Sequence, residues 1–536
     1  MHRRLICLTV AVLFTLQSFI CFAQDAATLE VDKKIIENVK DHSEVMQNLE
    51  YLTDMIGPRL TGSDRLKRAE DWSRQRFADY GCVNAHSESW AFGLGWSRGT
   101  ATGRILTPNG IPLTIASYGW APGTPGTVTG ELIYVNAPKV EDLEKYRGQL
   151  RGKFVITRPP ADLTRPFGPP PEVMQGRPGA PPGPAAGPQQ PPAPGAPDKA
   201  APPPQPPPPP RPPMNYEQMR QIREKTTQFF KDEGVLVSIS DSGKDHGLLN
   251  MGGLGGKDPN APVIPSVFVT HENYTMLWRL LERKQKVVLE MNISNSFTSS
   301  PVEAKNTVAE IRGSEKPDEV VILGGHLDSW DLGTGTTDNG TGTMSILEAC
   351  RVLNAVGAKP KRTIRFIFFE GEEEGLLGSK AYHDAHRDEM SKVSAVLVMD
   401  IGTGRLRGIA LQGRDDVRPT MAAVLAPVND LGLQEINLRN QGGTDHLSFL
   451  PSGIPAFAFI QDPVEYGKTH HSQSDTFDKA KKDDLIQAST VLAVAAYNIA
   501  QLPDLLPHRV PPPPSPAPVP AAPSNSNLPA DPPTKR

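Results

Sequence analysis

The chain predicts an α/β fold, a mostly parallel central sheet flanked by helices with a β-rich unit inserted in it, and three observations carry that prediction. From Thr307 to about Leu505, near-continuous apolar runs (VVILGG, RTIRFIFFEG, AVLVMD, IPAFAFIQ) alternate with stretches of helical period. Runs that are apolar at every position suit strands covered on both faces, as in a parallel sheet held between helical layers. Each run is followed by acidic or imidazole side chains, and in open α/β sheets the chemistry sits at the carboxyl ends of the strands.

The elements follow in order. The opening MHRRLICLTVAVLFTLQSFICFAQDAA places His2, Arg3 and Arg4 ahead of an apolar stretch with small residues near Ala23, the grammar of a signal peptide over residues 1–23. Its cleavage predicts a secreted or periplasmic chain with no membrane association; uncut, the run approaches the length of an anchor helix. Residues 24–110 make the N-terminal part of the catalytic domain. Their pattern reads as helical to about Trp96, and RLKRAEDWSRQRFADYG carries apolar residues at helical spacing before Gly81 stops it. Residues 111–295 form the inserted unit, with short strand-like runs GELIYVN, GKFVIT and GVLVSIS separated by Gly and Pro.

Inside that unit, residues 159–213 hold close to half of the 55 prolines. Missing N–H groups and few large apolar side chains predict polyproline II or disorder there, a projecting insertion rather than part of a core. The main part of the catalytic domain, 296–505, ends in the long helical DDLIQASTVLAVAAYNIAQL, and residues 506–536 form a second proline-rich, disordered stretch.

Composition excludes some functions. The 536 residues carry a net charge of −4, so no basic excess is present to neutralise phosphates, and nucleic acid is not an expected partner. Cys7 and Cys21 leave with the signal, and Cys82 and Cys350 are too few and too distant in sequence to form a disulfide framework. Cys350, inside the helical SILEACRVL, is expected to be a buried, inert thiol. Asn273, Asn292 and Asn339 head glycosylation sequons by pattern alone.

The residues that follow the apolar runs are His326 and Asp328, then Glu372 and Glu373, then Asp400, and finally His471 in KTHHSQSDTF. Taken singly, each has a plain structural explanation, an acidic turn or a hydrogen-bonded core histidine. Together, at one sheet edge, several close carboxylates would repel unless a cation neutralised them. GGHLDSWDLGTGTTDNGTG is a poor phosphate cradle: Thr341 stands where a Walker loop needs Lys, Asp338 replaces a glycine of the dinucleotide fingerprint, and an Asp would repel phosphate. The glycines instead let the backbone turn so that Asp338 points inward.

In order and spacing, GGHLDSWDLGTGTTDNGTG, FFEGEEEGLLGS, VLVMDIGTG and HHSQSDTF resemble the two-zinc exopeptidases of the bacterial leucyl aminopeptidase type. NTVAEIRG, HLDSWD and HHS point to a secreted, dipeptidase-like branch of that family. The resemblance implies a zinc exopeptidase fold whose inserted β-rich unit is a protease-associated domain. It implies two divalent ions, zinc expected, with His326 and Asp400 on one, Glu373 and His471 on the other, and Asp338 bridging them. It assigns Glu372 as general base and Asp328 as the residue that hydrogen-bonds the His326 ring and fixes its tautomer. Glu374 receives no role, and His471 is preferred to His470 as the residue four before Asp475. A homodimer is implied by resemblance alone, and short peptides are the expected substrates.

Such a set suits peptide hydrolysis on chemical grounds too. Two ions about 3.5–4 Å apart can acidify a shared water and polarise a carbonyl, while Glu372 moves its proton to the leaving amine. GGTDHLSF, with Asp445 and His446, either borders the substrate pocket or is a structural loop. Gly371 and Glu374 depart from the family pattern, which bears on metal affinity and substrate choice. A receptor-like protein that kept the fold without catalysis is the alternative reading, and aminoacyl cyclisation on one zinc a weaker third.

Overall fold

The computed structural model describes residues 25–163, 216–253 and 261–509. The signal peptide, nearly all of the proline-rich tract and the proline-rich tail beyond 509 lie outside the described residues.

The main sheet has eight strands among the described residues: β1 (Val83–Ser97), β2 (Ser296–Ile311), β3 (Lys316–His326), β4 (Arg362–Phe369), β5 (Val393–Val398), β6 (Leu406–Ala410), β7 (Glu435–Asn437) and β8 (Ala456–Gln461). Their spatial order is β1-β2-β4-β3-β5-β8-β6-β7. The four central strands, β4, β3, β5 and β8, are mutually parallel, and β1, β2 and β6 join antiparallel at the flanks. Parallel pairing brings the carboxyl ends of all four central strands to one edge.

The helices α1 (Ala26–His42), α2 (Asp64–Asp79), α3 (Thr341–Ala355) and α4 (Lys482–Gln501) share one core with Val321, Leu323, Ile364 and Phe366 of the sheet. Val320, Ile322, Ile367 and Phe369 point the other way, onto Tyr382 and Phe449. Alternate residues of one strand thus enter two cores, which is why the strand sequences are apolar at every position.

A second sheet, eight-stranded among the described residues, has its own core around Phe154, Ile239, Val267 and Leu289. The chain enters it after β1 and leaves it before β2, and Ser97 faces Ser296 at the open end of that antiparallel pair. In this sheet Phe154–Ile156 and Val237–Asp241 are adjacent and parallel, so the whole stretch between them is one crossover connection.

Four expectations need correction. The helical reading to Trp96 holds only through α2: VNAHSESWAFGLGWS is the strand β1, where polar and aromatic residues share a half-buried ribbon. The second sheet begins at Ala101 rather than near Ile111, because Ala101–Thr107 pairs with Val288–Ile293; ATGRILT has too few large apolar residues to stand out as a strand. Cys350 is buried, but not as a free thiol: it is disulfide-bonded to Cys82. Gly81, with a positive φ of 89°, turns the chain after α2 and sets Cys82 against α3, a meeting that separation in sequence could not signal. Asn339 is no glycan acceptor, since its side chain is buried and hydrogen-bonded to Met399 and Gly342.

Cross-linking residues 268 apart restricts the unfolded chain strongly. Cys82→Ser with Cys350→Ser is expected to lower stability by about 2–5 kcal/mol, read by denaturant unfolding, with no added sensitivity to reductant.

Candidate active site

Sequence and topology together place the polar residues. β3 ends on His326, β4 leads into Glu372 and Glu373, β5 is followed by Asp400, and the turn after β8 carries His470 and His471. All reach the same sheet edge. His326 Nε2 lies 3.0 Å from Asp400 Oδ1 and 3.4 Å from Asp338 Oδ1. Opposite, His471 Nε2 lies 3.3 Å from Asp338 Oδ2 and 2.9 Å from Glu373 Oε2. Asp338 therefore stands between two imidazole–carboxylate pairs and offers one oxygen to each.

The position of Asp338 is set by its neighbours. Asp475 accepts from the amides of Thr337 at 2.6 Å and Asp338 at 3.3 Å, and Asn339 Nδ2 donates to the Met399 carbonyl at 2.9 Å, beside Asp400. Arg59 is fully buried and donates to the carbonyls of Leu327, Thr334 and Gly335 at 2.7–2.9 Å, tying the loop after β3 to the turn that presents Asp338. Burial draws Arg59 down to about 10, against the charges of Asp475, Asp328 and Asp338, so it stays cationic at neutral pH. Neither Arg59 nor Thr61, whose hydroxyl donates to Asp328 at 3.1 Å, was found from the sequence. IGPRLTGS looks like an ordinary loop, and nothing in it marks the arginine as buried.

Asp328 does not hold the His326 ring through its carboxylate. The ring Nδ1 donates to the Asp328 backbone carbonyl at 3.0 Å, while the nearest carboxylate oxygen is 3.7 Å away. That carboxylate accepts instead from the amides of Glu372 and Glu373, each at 3.3 Å. Folding the carbonyl back under the ring frees the Asp328 side chain to cap the turn after β4. With Nδ1 donating to that carbonyl, Nε2 is the ring atom turned toward Asp338 and Asp400.

The electrostatics follow from burial. Burial pushes the Glu372 carboxyl well above the usual range, the charge of His326 opposes this, and Asp400, Asp445 and Glu373 add to it. Glu373 is raised in the same direction by burial and by Asp338. Burial would raise Asp338 too, but the His326 hydrogen bond and the nearby His470 and His471 outweigh it and hold this group low. Asp445 is buried and raised to about 7, first by burial, with the fields of Asp400 and Asp328 adding to it. The GGTDHLSF loop therefore reaches the cluster.

The donors fit divalent metal. Asp338 Oδ2 and Glu373 Oε1 are buried with no hydrogen-bond partner. Among the described residues, potential ligand atoms of His326, Asp338 and Glu373 lie within 4.8 Å of one another, as do those of Asp338, His470 and His471. Imidazole nitrogen with carboxylate oxygen, and no thiolate, is a donor set suited to zinc.

Residues 306–496 match the model of peptidase family M28. The chain carries a peptidase family M28 domain. It is 28% identical to mouse carboxypeptidase Q over 463 residues, 86% of each chain. Among solved structures it is similar to a peptidase M28 precursor from Shewanella amazonensis SB2B, at 25% identity and TM-score 0.71 over 91% of this chain and 100% of that one. A zinc aminopeptidase from Bacillus subtilis shares the fold at 19% identity and TM-score 0.58, covering 84% of this chain and 93% of the other. The protein is a metallopeptidase, an M28-type exopeptidase with likeness to both carboxypeptidase Q and the aminopeptidases, and that likeness implies a divalent metal.

Arg59→Met would strand the buried carbonyls of Gly57, Leu327 and Gly335, each worth about 1–3 kcal/mol when left unpaired. The expected result is a loss of at least about 3 kcal/mol in thermal or denaturant unfolding. Arg59→Lys, which can reach fewer carbonyls, should fall between that variant and the parent.

Proposed function

We propose that the protein is an exported exopeptidase that hydrolyses dipeptides or removes terminal residues from short peptides, using a pair of divalent ions, zinc expected. The observation that carries this reading is the placement of Asp338, one oxygen toward the His326–Asp400 pair and the other toward the His471–Glu373 pair. In this reading His326 and Asp400 hold one ion, Glu373 and His471 the other, and Asp338 is shared. The ions would supply Lewis-acid polarisation of the scissile carbonyl and increased acidity of water.

The remaining chemistry belongs to the chain. Glu372 accepts a proton from the attacking water and delivers it to the departing amine. Its low-dielectric surroundings raise its proton affinity, which suits a carboxylate for that task. Asp328 holds the amides of Glu372 and Glu373 together, so base and ligand are set by one side chain. The inserted unit with the second sheet is the protease-associated domain of the family. Among the described residues no helix is long and apolar enough to cross a membrane.

Glu372→Gln should keep two ions per chain by elemental analysis and lower kcat on free dipeptides by about 100-fold to 10,000-fold. A variant with full kcat would end the role assigned to Glu372. Parallel assays on N-blocked and C-amidated peptides, with and without chelator, identify the chain end that is read; a protein inert on all of them while holding metal would be the receptor-like alternative.

A further inference from the structure

The main-chain carbonyls of both histidines after β8 are capped by donors from the second sheet's unit. Lys244 Nζ donates to the His470 carbonyl at 2.8 Å and to that of Gly467 at 3.3 Å. The Met251 amide donates to the His471 carbonyl at 2.9 Å. Between them Asn250 forms an antiparallel bridge to Ser472, and Gln473 accepts from the Leu249 amide at 2.8 Å and donates to the Gly247 carbonyl at 3.2 Å. Residues 244–251, which follow the strand Val237–Asp241, thus lie along residues 467–473 as a clasp.

This clasp acts on a backbone that needs holding. His471 has φ of +51°, a left-handed conformation uncommon for a residue with a side chain and costing about 1–3 kcal/mol unless the surroundings fix it. The conformation aims the imidazole at Asp338 and Glu373. Lys244 is buried, with 7% of its surface exposed, so its ammonium is committed beneath the turn and is not offered to substrate. The clasp's hydrogen bonds described above all fall on the turn that carries His471, whereas His326, Asp338 and Asp400 lie on or beside elements of the main sheet.

We propose that residues 244–251 of the inserted unit are a working part of the metal centre, with Lys244 a positioning residue for His471, so that this unit governs retention of one ion of the pair and not the other. The inference rests on the ligand assignment of the proposed function. Its sign is diagnostic. Lys244 is a cation near a site for dications, so removing its charge would by electrostatics alone tighten metal binding; loss of positioning loosens it.

The test is metal content by elemental analysis after equilibration of the full chain with graded chelator. Lys244→Met should release one of the two ions at about 10-fold to 100-fold lower chelator concentration, with the other unchanged, the size typical of lost outer hydrogen bonds at metal ligands. Lys244→Arg, able to donate to both carbonyls, should restore retention, and the metal-free melting temperature of Lys244→Met should match the parent's. Gln473→Ala should reproduce the one-sided loss and serves if Lys244→Met does not fold. His471→Ala separates the two layers of argument. If it keeps both ions, the ligand assignment is wrong. If it loses one while Lys244→Met and Gln473→Ala retain both as the parent does, only the positioning role is overturned.

Discussion

Like charges forced together in a dry place govern this molecule. Asp338, Glu373 and Asp400 are buried around two imidazoles, and three carboxylates at such spacing cannot all ionise without cations among them. The surrounding structure bears on this constraint. Asp475 steadies the turn under Asp338, Asp328 holds the turn that carries Glu372 and Glu373, and Arg59 supplies a permanent positive charge beneath the loops while satisfying their carbonyls. These contacts set the positions of the ligand side chains.

The parallel core makes the convergence possible. Four strands that run the same way present their ends together, and residues from positions 326 to 471 meet without a long-range motif joining them. The flanking antiparallel strands do different work. β1 and β2 form the ribbon from which the second sheet springs, and its clasp returns to the main domain close to His471.

Much of this was legible from residues alone because apolar strands and the polar residues after them leave a local signature. The parallel core, the two helical layers and the meeting of His326, Asp338, Glu373, Asp400 and His471 all follow from it. What stayed hidden depends on contacts between distant segments. Arg59 and Lys244 have the sequence context of surface residues, and only the fold buries them. The pairing of Cys82 with Cys350 needs the turn at Gly81 to be known in three dimensions. β1 lacks the continuous apolar run that marks β3 to β5: Trp90, Phe92 and Trp96 are interleaved with Ala, Gly and Ser, and polar residues precede them, so no strand signature stands out. Asp328 was assigned the right neighbourhood but the wrong contact, because a backbone carbonyl and a carboxylate on one residue cannot be told apart from its identity.

The crossover between Phe154–Ile156 and Val237–Asp241 bears on how much sequence the second sheet accommodates there. The two strands are neighbours whose register is fixed by their own ladder, so material added between them strains neither. The length of sequence between these two strands is therefore decoupled from the pairing that holds them together.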